Sequence, residues 1–277
     1  MVSIQNQQFV CGKLDMQILR KKKNPTGCSK NRLVNFLICG TQKGGTSALY
    51  SYLREHPEIC MADVKEVHFF DNESLFDNGR PDYFKYHSSF NPKTSHRLIG
   101  EATPIYMYWY DAPRRIWEYN PHMKLIIVLR NPIDRAYSHW NMERSRNAES
   151  LLFWDAIQNE NLRCKEALPY QHRVYSYVDR GFYLEQLRRL WHYFLEENVF
   201  VLKNEHLKDQ PKECLKEVCE FLGVSNFGNF NPKNVHSRPY LSKMSDKEKE
   251  YLRFLFEHEI RGIDRVLGWD CGNWLSE

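Results

Sequence analysis

Leu33-Val34-Asn35-Phe36-Leu37-Ile38-Cys39-Gly40-Thr41-Gln42-Lys43-Gly44-Gly45-Thr46-Ser47-Ala48-Leu49-Tyr50-Ser51-Tyr52-Leu53 reads as a strand, a glycine loop and a helix in direct succession. The apolar run from Leu33 to Cys39 has the length of a fully buried strand, and Gly40 ends it. Gly44 and Gly45 let the backbone wrap close to a ligand, and Thr46 and Ser47 open the helix. Backbone N–H groups at a helix start, helped by the helix dipole, suit an anion. Against the nucleotide loop pattern G-x-x-x-x-G-K-[ST], Gly45 holds the sixth place, Thr46 stands where the lysine belongs, and the lysine sits earlier, at Lys43. That displacement points away from an ordinary nucleotide triphosphatase.

A second apolar run, Lys124 to Leu129, stops at Arg130-Asn131-Pro132. Asn131 suits an N-cap and Pro132 the first turn of a helix continuing to about Arg146. Arg130 at the carboxyl end of a strand, with Ser138 on the next helix, could hold a second phosphate in the crevice where α/β sheets bind ligands. Alone, such an arginine would read as one half of a surface ion pair. Further strands are expected at 97–101 and 198–202, and helices at 151–163, 182–196, 211–222 and 245–266. Short apolar runs alternating with helices predict an α/β fold: a P-loop-like parallel sheet covered by helices on both faces.

The 277 residues are 42% hydrophobic and 27% charged, which suits one large α/β domain and excludes a disordered chain or a membrane bundle. A net charge of +4 is too mild for a nucleic-acid partner. The eight cysteines form no CxxC pair and no metal-type spacing, so buried free thiols in a reducing, cytoplasmic compartment are expected and a metal site is not. No apolar run reaches the ~20 residues of a membrane span. Residues 1–32, with Arg20-Lys21-Lys22-Lys23, read as a basic peripheral tail, and 33–277 as the single domain.

Taken together, the glycine loop and the Arg130–Ser138 segment resemble the 5′-phosphosulfate loop and the 3′-phosphate segment of sulfotransferases that use 3′-phosphoadenosine 5′-phosphosulfate (PAPS). Lys65-Glu66-Val67-His68-Phe69-Phe70-Asp71 and Gly100-Glu101-Ala102-Thr103-Pro104-Ile105-Tyr106 are similar to blocks of the branch containing heparan sulfate sulfotransferases and bacterial natural-product sulfotransferases. Gly181-Phe182-Tyr183, Phe221-Leu222-Gly223-Val224 and His236-Ser237-Arg238-Pro239-Tyr240 extend the likeness over about residues 33–270. The resemblance implies the sulfotransferase fold, PAPS as donor and PAP as product. Lys43, Gly44, Gly45, Thr46 and Ser47 would surround the 5′-phosphosulfate, Arg130 and Ser138 the 3′-phosphate, and Ser237 and Arg238 would close over the nucleotide. His236 and Ser237 replace a lysine and a glycine of the family pattern.

Glu66 matches the family's general base. His68 lies two residues on and would point the same way on an extended segment, ready to orient the acceptor or share its proton, with Asp71 in support. Lys43 beside the bridging oxygen would stabilise the charge that builds on the departing phosphate. Ala102 stands where the heparan-modifying members carry a lysine, and their cysteine-bearing insertion before the Arg238 loop is missing. Both departures favour a soluble enzyme of secondary metabolism acting on a hydroxyl or a nitrogen of a small molecule over a saccharide enzyme. A guanidinium alkaloid of the saxitoxin type is one acceptor that a carboxylate-bearing pocket permits. A metabolite kinase is the rival reading, but it needs magnesium ligands and a lysine next to the helix.

Overall fold

The computed structural model describes residues 33–77, 79, 81–228, 240 and 242–276. Five strands form one sheet in the order β2-β3-β1-β4-β5, with β1 Phe36–Gly40, β2 Ile59–Met61, β3 Leu98–Ala102, β4 Lys124–Leu129 and β5 Val199–Lys203. Every pairing is parallel. Among the described residues six helices of eight residues or more pack on it: α1 Thr46–Leu53, α2 Ala112–Tyr119, α3 Pro132–Ser145, α4 Tyr183–Tyr193, α5 Pro211–Leu222 and α6 Asp246–Leu267.

The strands are continuously apolar because both faces of the sheet are covered. Leu37, Cys39, Leu125, Ile127 and Leu129 join the core under α2, α3, α4 and α6. Their neighbours Phe36, Ile38, Ile126 and Val128 turn the other way, into the core under α1 and α5. Each aliphatic side chain so buried contributes about 1.5–3 kcal/mol, and a shift of one residue in register would exchange the two cores.

The helix ends follow the local chemistry. Asn131 caps α3 by accepting from the Ile133 N–H at 3.0 Å, with Pro132 in the first turn as expected. Ser245 and Glu248 form a capping box at the start of α6, and Gly268 ends that helix in the left-handed conformation. The expected helix over 151–163 is instead two short ones, Phe153–Gln158 and Glu160–Cys164, broken at Asn159. The Glu160 carboxylate leaves the surface to accept from the N–H groups of Val178 and Asp179, which fixes the break. Strand β2, with three residues, and helix α2 were not expected from the sequence; the latter's apolar stripe is interrupted by Arg114 and Arg115.

All six described cysteines are free. Among the described residues no helix is long and apolar enough to cross a membrane. The basic tail lies outside the described residues.

Candidate active site

β1 is central, paired with β3 on one side and β4 on the other, and the chain builds β2 and β3 on one side before crossing to β4 on the other, so a crevice opens at the carboxyl end of β1. The loop Thr41–Gly45 occupies this position. Thr41 is pinned to β4, its N–H and its hydroxyl both donating to the Val128 carbonyl at 3.1 and 2.9 Å. Gly44 then passes so close to the same carbonyl that a Cβ would lie 2.2 Å from it. Gly45, at φ 103°, is the N-cap of α1, and the Asn204 side chain holds the Gly44 carbonyl at 2.8 Å. The loop is therefore bolted at both ends, with Lys43 half-buried at its apex and itself at φ 70°. A loop drawn this tightly, opening a helix, fits a phosphate-bearing ligand, as the donor set of lysine, backbone N–H groups and arginine requires.

Arg130 follows the last residue of β4 and turns toward that loop. Its guanidinium donates to the Lys43 carbonyl at 3.5 Å and to the Tyr240 hydroxyl at 3.3 Å. Asp134, one turn along, lies 3.9 Å from it. Ser138, two turns into α3, is buried. The structure thus gathers Lys43, Gly44, Gly45, Thr46, Ser47 and Arg130 around one strand end, with Ser138 on the helix that Arg130 leads into. His236, Ser237 and Arg238 lie outside the described residues, although Tyr240, four residues after His236, already touches Arg130.

The other half of the crevice is carried by the segment after β2. The Glu66 N–H donates to the Ala102 carbonyl at 2.9 Å, hanging the segment from the end of β3, the strand paired with β1. Glu66 and His68 do stand together, with Nε2 of His68 3.6 Å from the Glu66 carboxylate. The expected extended backbone is absent, however, because both residues adopt left-handed conformations, φ 64° and 54°. Two tight turns, rather than the alternation of a strand, bring the side chains to one side. Nδ1 of His68 bonds Asp71 at 2.9 Å, and Lys65 donates to the Glu66 carboxylate.

Charge in this cluster is set by its partners. Burial alone would raise the Glu66 carboxyl, but the bond to His68 and the Lys65 ammonium outweigh it and hold the group at about 2. Hydrogen bonds to Asp71 and Glu66 push His68 up to about 9, against a smaller opposing effect of burial. Burial acts upward on Asp71 as well, and the contacts with His68 and Arg173 bring it down. Near neutral pH the cluster is an imidazolium between two carboxylates.

Several supporting residues escaped the sequence reading. Arg173 lies over the Trp109 ring, 4.3 Å from its centroid, and donates to both the carboxylate and the carbonyl of Asp71. Beneath the turn, the fully buried Glu101 accepts from Tyr86 at 2.8 Å, Tyr106 at 3.0 Å and Thr103 at 2.7 Å. The Tyr106 hydroxyl in turn receives the N–H groups of Phe69 and Phe70 at 3.0 and 3.4 Å, fixing the turn that presents Asp71. Glu101 and Tyr106 fall inside a quoted block and could have been found there. Arg173 is 102 residues from Asp71 and has no such signal.

Residues 34–259 match the model of the family described as Sulfotransferase domain. The chain belongs to this sulfotransferase family. It is 31% identical over 206 residues to heparan sulfate glucosamine 3-O-sulfotransferase 6 of Mus musculus, a match covering 72% of this chain and 55% of that protein. It is 23% identical over 315 residues to the membrane-associated sulfotransferase kil1 of Dictyostelium discoideum, covering 86% and 66%. The chain thus spans roughly half to two thirds of the length of these curated relatives. Among solved structures, a sulfotransferase from Alicyclobacillus acidocaldarius superposes with a TM-score of 0.77 at 28% identity, over 88% of this chain and 99% of that one. The parallel sheet with helices on both faces is accordingly the sulfotransferase fold, and PAPS is the sulfuryl donor of the family.

Proposed function

We propose that this sulfotransferase domain moves a sulfuryl group from PAPS to a hydroxyl or nitrogen of a small-molecule acceptor, leaving PAP. The observation that carries this reading is the placement of two half-sites on adjacent strand ends: a cation-bearing glycine loop after β1 and, hung from β3, a cluster in which the carboxylates of Glu66 and Asp71 are paired with Lys65, His68 and Arg173. PAPS supplies the activated sulfuryl group and an anionic leaving phosphate. Lys43 and the N–H groups at the start of α1 hold its 5′ end, and Arg130 and Ser138 hold its 3′-phosphate, with Ser237 and Arg238 as further nucleotide-binding residues.

Glu66 takes the acceptor proton. A carboxylate held at about 2 is a weak base while His68 and Lys65 occupy it, yet an acceptor hydroxyl that docks there displaces those partners and so raises the basicity it needs. His68, already protonated, serves as a donor that orients the acceptor oxygen rather than as the base. Lys43 stabilises the charge that grows on the departing phosphate.

The named relatives favour a second acceptor class, since one of them acts as a heparan sulfate glucosamine 3-O-sulfotransferase. Against a sulfated saccharide stands Ala102, a neutral and buried side chain at the strand end that carries Glu66. The deciding experiment incubates the protein with PAPS and a panel of small alcohols, phenols, amines, a guanidinium alkaloid and heparan oligosaccharides, and detects added sulfuryl groups by mass. Turnover confined to small acceptors supports the proposal, and sulfation of the oligosaccharides alone overturns it.

A further inference from the structure

Arg180 is a charged side chain only 1% exposed, and the sulfuryl-transfer chemistry above does not use it. Burial draws its guanidinium down to about 10, so it remains charged near neutral pH. Its face lies over the Tyr108 ring, 4.7 Å from the centroid. Its hydrogen bonds all end on neutral oxygens: the Gln42 side chain, the Ser176 hydroxyl at 2.8 Å, and the carbonyls of Arg173 at 2.8 Å and His172 at 3.4 Å. Sequestering a guanidinium in this way is costly, and buried fully hydrogen-bonded networks of this kind hold one geometry.

Those partners lie in both half-sites. Gln42 belongs to the donor loop, one residue before Lys43. Arg173, whose carbonyl Arg180 grips, sends its own guanidinium to Asp71. Asp71 holds His68, and His68 contacts Glu66. Hydrogen bonds therefore run from Gln42 through Arg180 and Arg173 to Asp71 and His68, and a 3.6 Å ion pair joins His68 to Glu66. The segment between, residues 172–181, is stiffened by its own contacts: the Ser176 hydroxyl donates to the His172 carbonyl at 2.6 Å, and the His172 ring receives the Tyr175 N–H at 2.9 Å.

We infer that Arg180 is a positioning residue that couples the donor loop to the acceptor-activating cluster, so that occupation of the loop by the nucleotide is transmitted to Asp71 and His68. The inference rests on the assignment of Glu66, His68 and Asp71 to the acceptor. Its test therefore includes a readout independent of turnover.

Hydrogen–deuterium exchange is measured on the full chain with and without PAP, for the native protein and for Gln42→Ala, Arg180→Lys and Arg173→Ala. In the native protein PAP should slow exchange at 41–47 and also at 65–73. In Gln42→Ala and Arg180→Lys the protection at 41–47 should persist and that at 65–73 should be lost. Gln42→Ala keeps the test open should Arg180→Lys fold poorly, because Gln42 is only half-buried. Kinetics add a second reading: kcat should fall about tenfold in both variants while Kd for PAP changes less than threefold. In Arg173→Ala, Asp71 is left to His68 alone, so the basic limb of kcat/KM should move to higher pH. Unchanged transmission to 65–73 in Gln42→Ala overturns the coupling. Failure of Glu66→Gln to lower turnover would instead remove the acceptor assignment and leave the exchange result standing.

Discussion

The donor and acceptor halves of this crevice are built by different means. The donor loop is local: Thr41–Gly45, a strand before, a helix after, and backbone contacts to β4 that leave no room for a side chain at Gly44. The acceptor cluster is assembled from afar, with Glu66 hung from β3, Asp71 held by Arg173, and the turn propped by Tyr106 over a buried Glu101. A rigid backbone cradle suits a donor whose phosphates are always the same. A cluster of side chains held by other side chains can be retuned for a different acceptor without disturbing donor binding.

This division predicts how the halves fail. Glu66→Gln removes the base and leaves the cradle whole, so kcat should fall by the ~10²–10⁴ typical of general-base loss while PAP affinity stays near native. Lys43→Ala should damage both, because its ammonium meets the donor in the ground state and more strongly as charge builds on the leaving phosphate. Steady-state kinetics with calorimetric PAP titration separates the two. Near-native turnover in Glu66→Gln with a dead His68→Ala would transfer the base to His68.

That contrast also explains what could be read from the sequence. The strand, loop and helix at 33–53 were legible because their signals are contiguous: an apolar run, two glycines and Thr46-Ser47 leave one geometry. Arg130, Asn131 and Pro132 were legible for the same reason. The family likeness points to Glu66 and His68 but not to their geometry, since residues two apart suggest an extended chain and nothing local announces two left-handed turns. Arg173 and Arg180 were illegible. Their meaning lies in partners 102 and 138 residues away, a separation at which composition and periodicity carry no information.

A smaller effect, and one confined to the acceptor half, concerns pH. His68 rises to about 9 from an ordinary 6.5 because Asp71 and Glu66 bond its protonated ring. The stabilisation this provides is complete below pH 6.5 and is lost as pH rises through about 9. If the imidazolium orients the acceptor, kcat/KM should hold level through neutrality and decline near pH 9. Glu66, at about 2, adds no acidic limb in the working range. Asp71→Asn removes the strongest support of the protonated ring and should shift the decline toward neutrality. A basic limb that stays in place in Asp71→Asn would show that it belongs to another group.

The smallest effect tests the donor half without any chemistry. PAP and ADP share the adenosine and a 5′-phosphate, and only PAP offers a 3′-phosphate to Arg130 and Ser138. Arg130 already stands at the strand end, bonded to the Lys43 carbonyl and to Tyr240, so the phosphate meets a guanidinium whose rotamer freedom is largely spent. A hydrogen bond to a charged group is worth about 1.5–3 kcal/mol, and a domain of this size gains roughly 2–4 °C in melting temperature per kcal/mol. At equal saturating concentrations PAP should therefore raise the melting temperature several degrees more than ADP does. Arg130→Gln should erase most of that difference while leaving the smaller ADP shift in place, because the Thr41 and Asn204 bonds that shape the 5′ cradle around Gly44 remain. Equal shifts from the two nucleotides in the native protein would move the 3′-phosphate site away from Arg130.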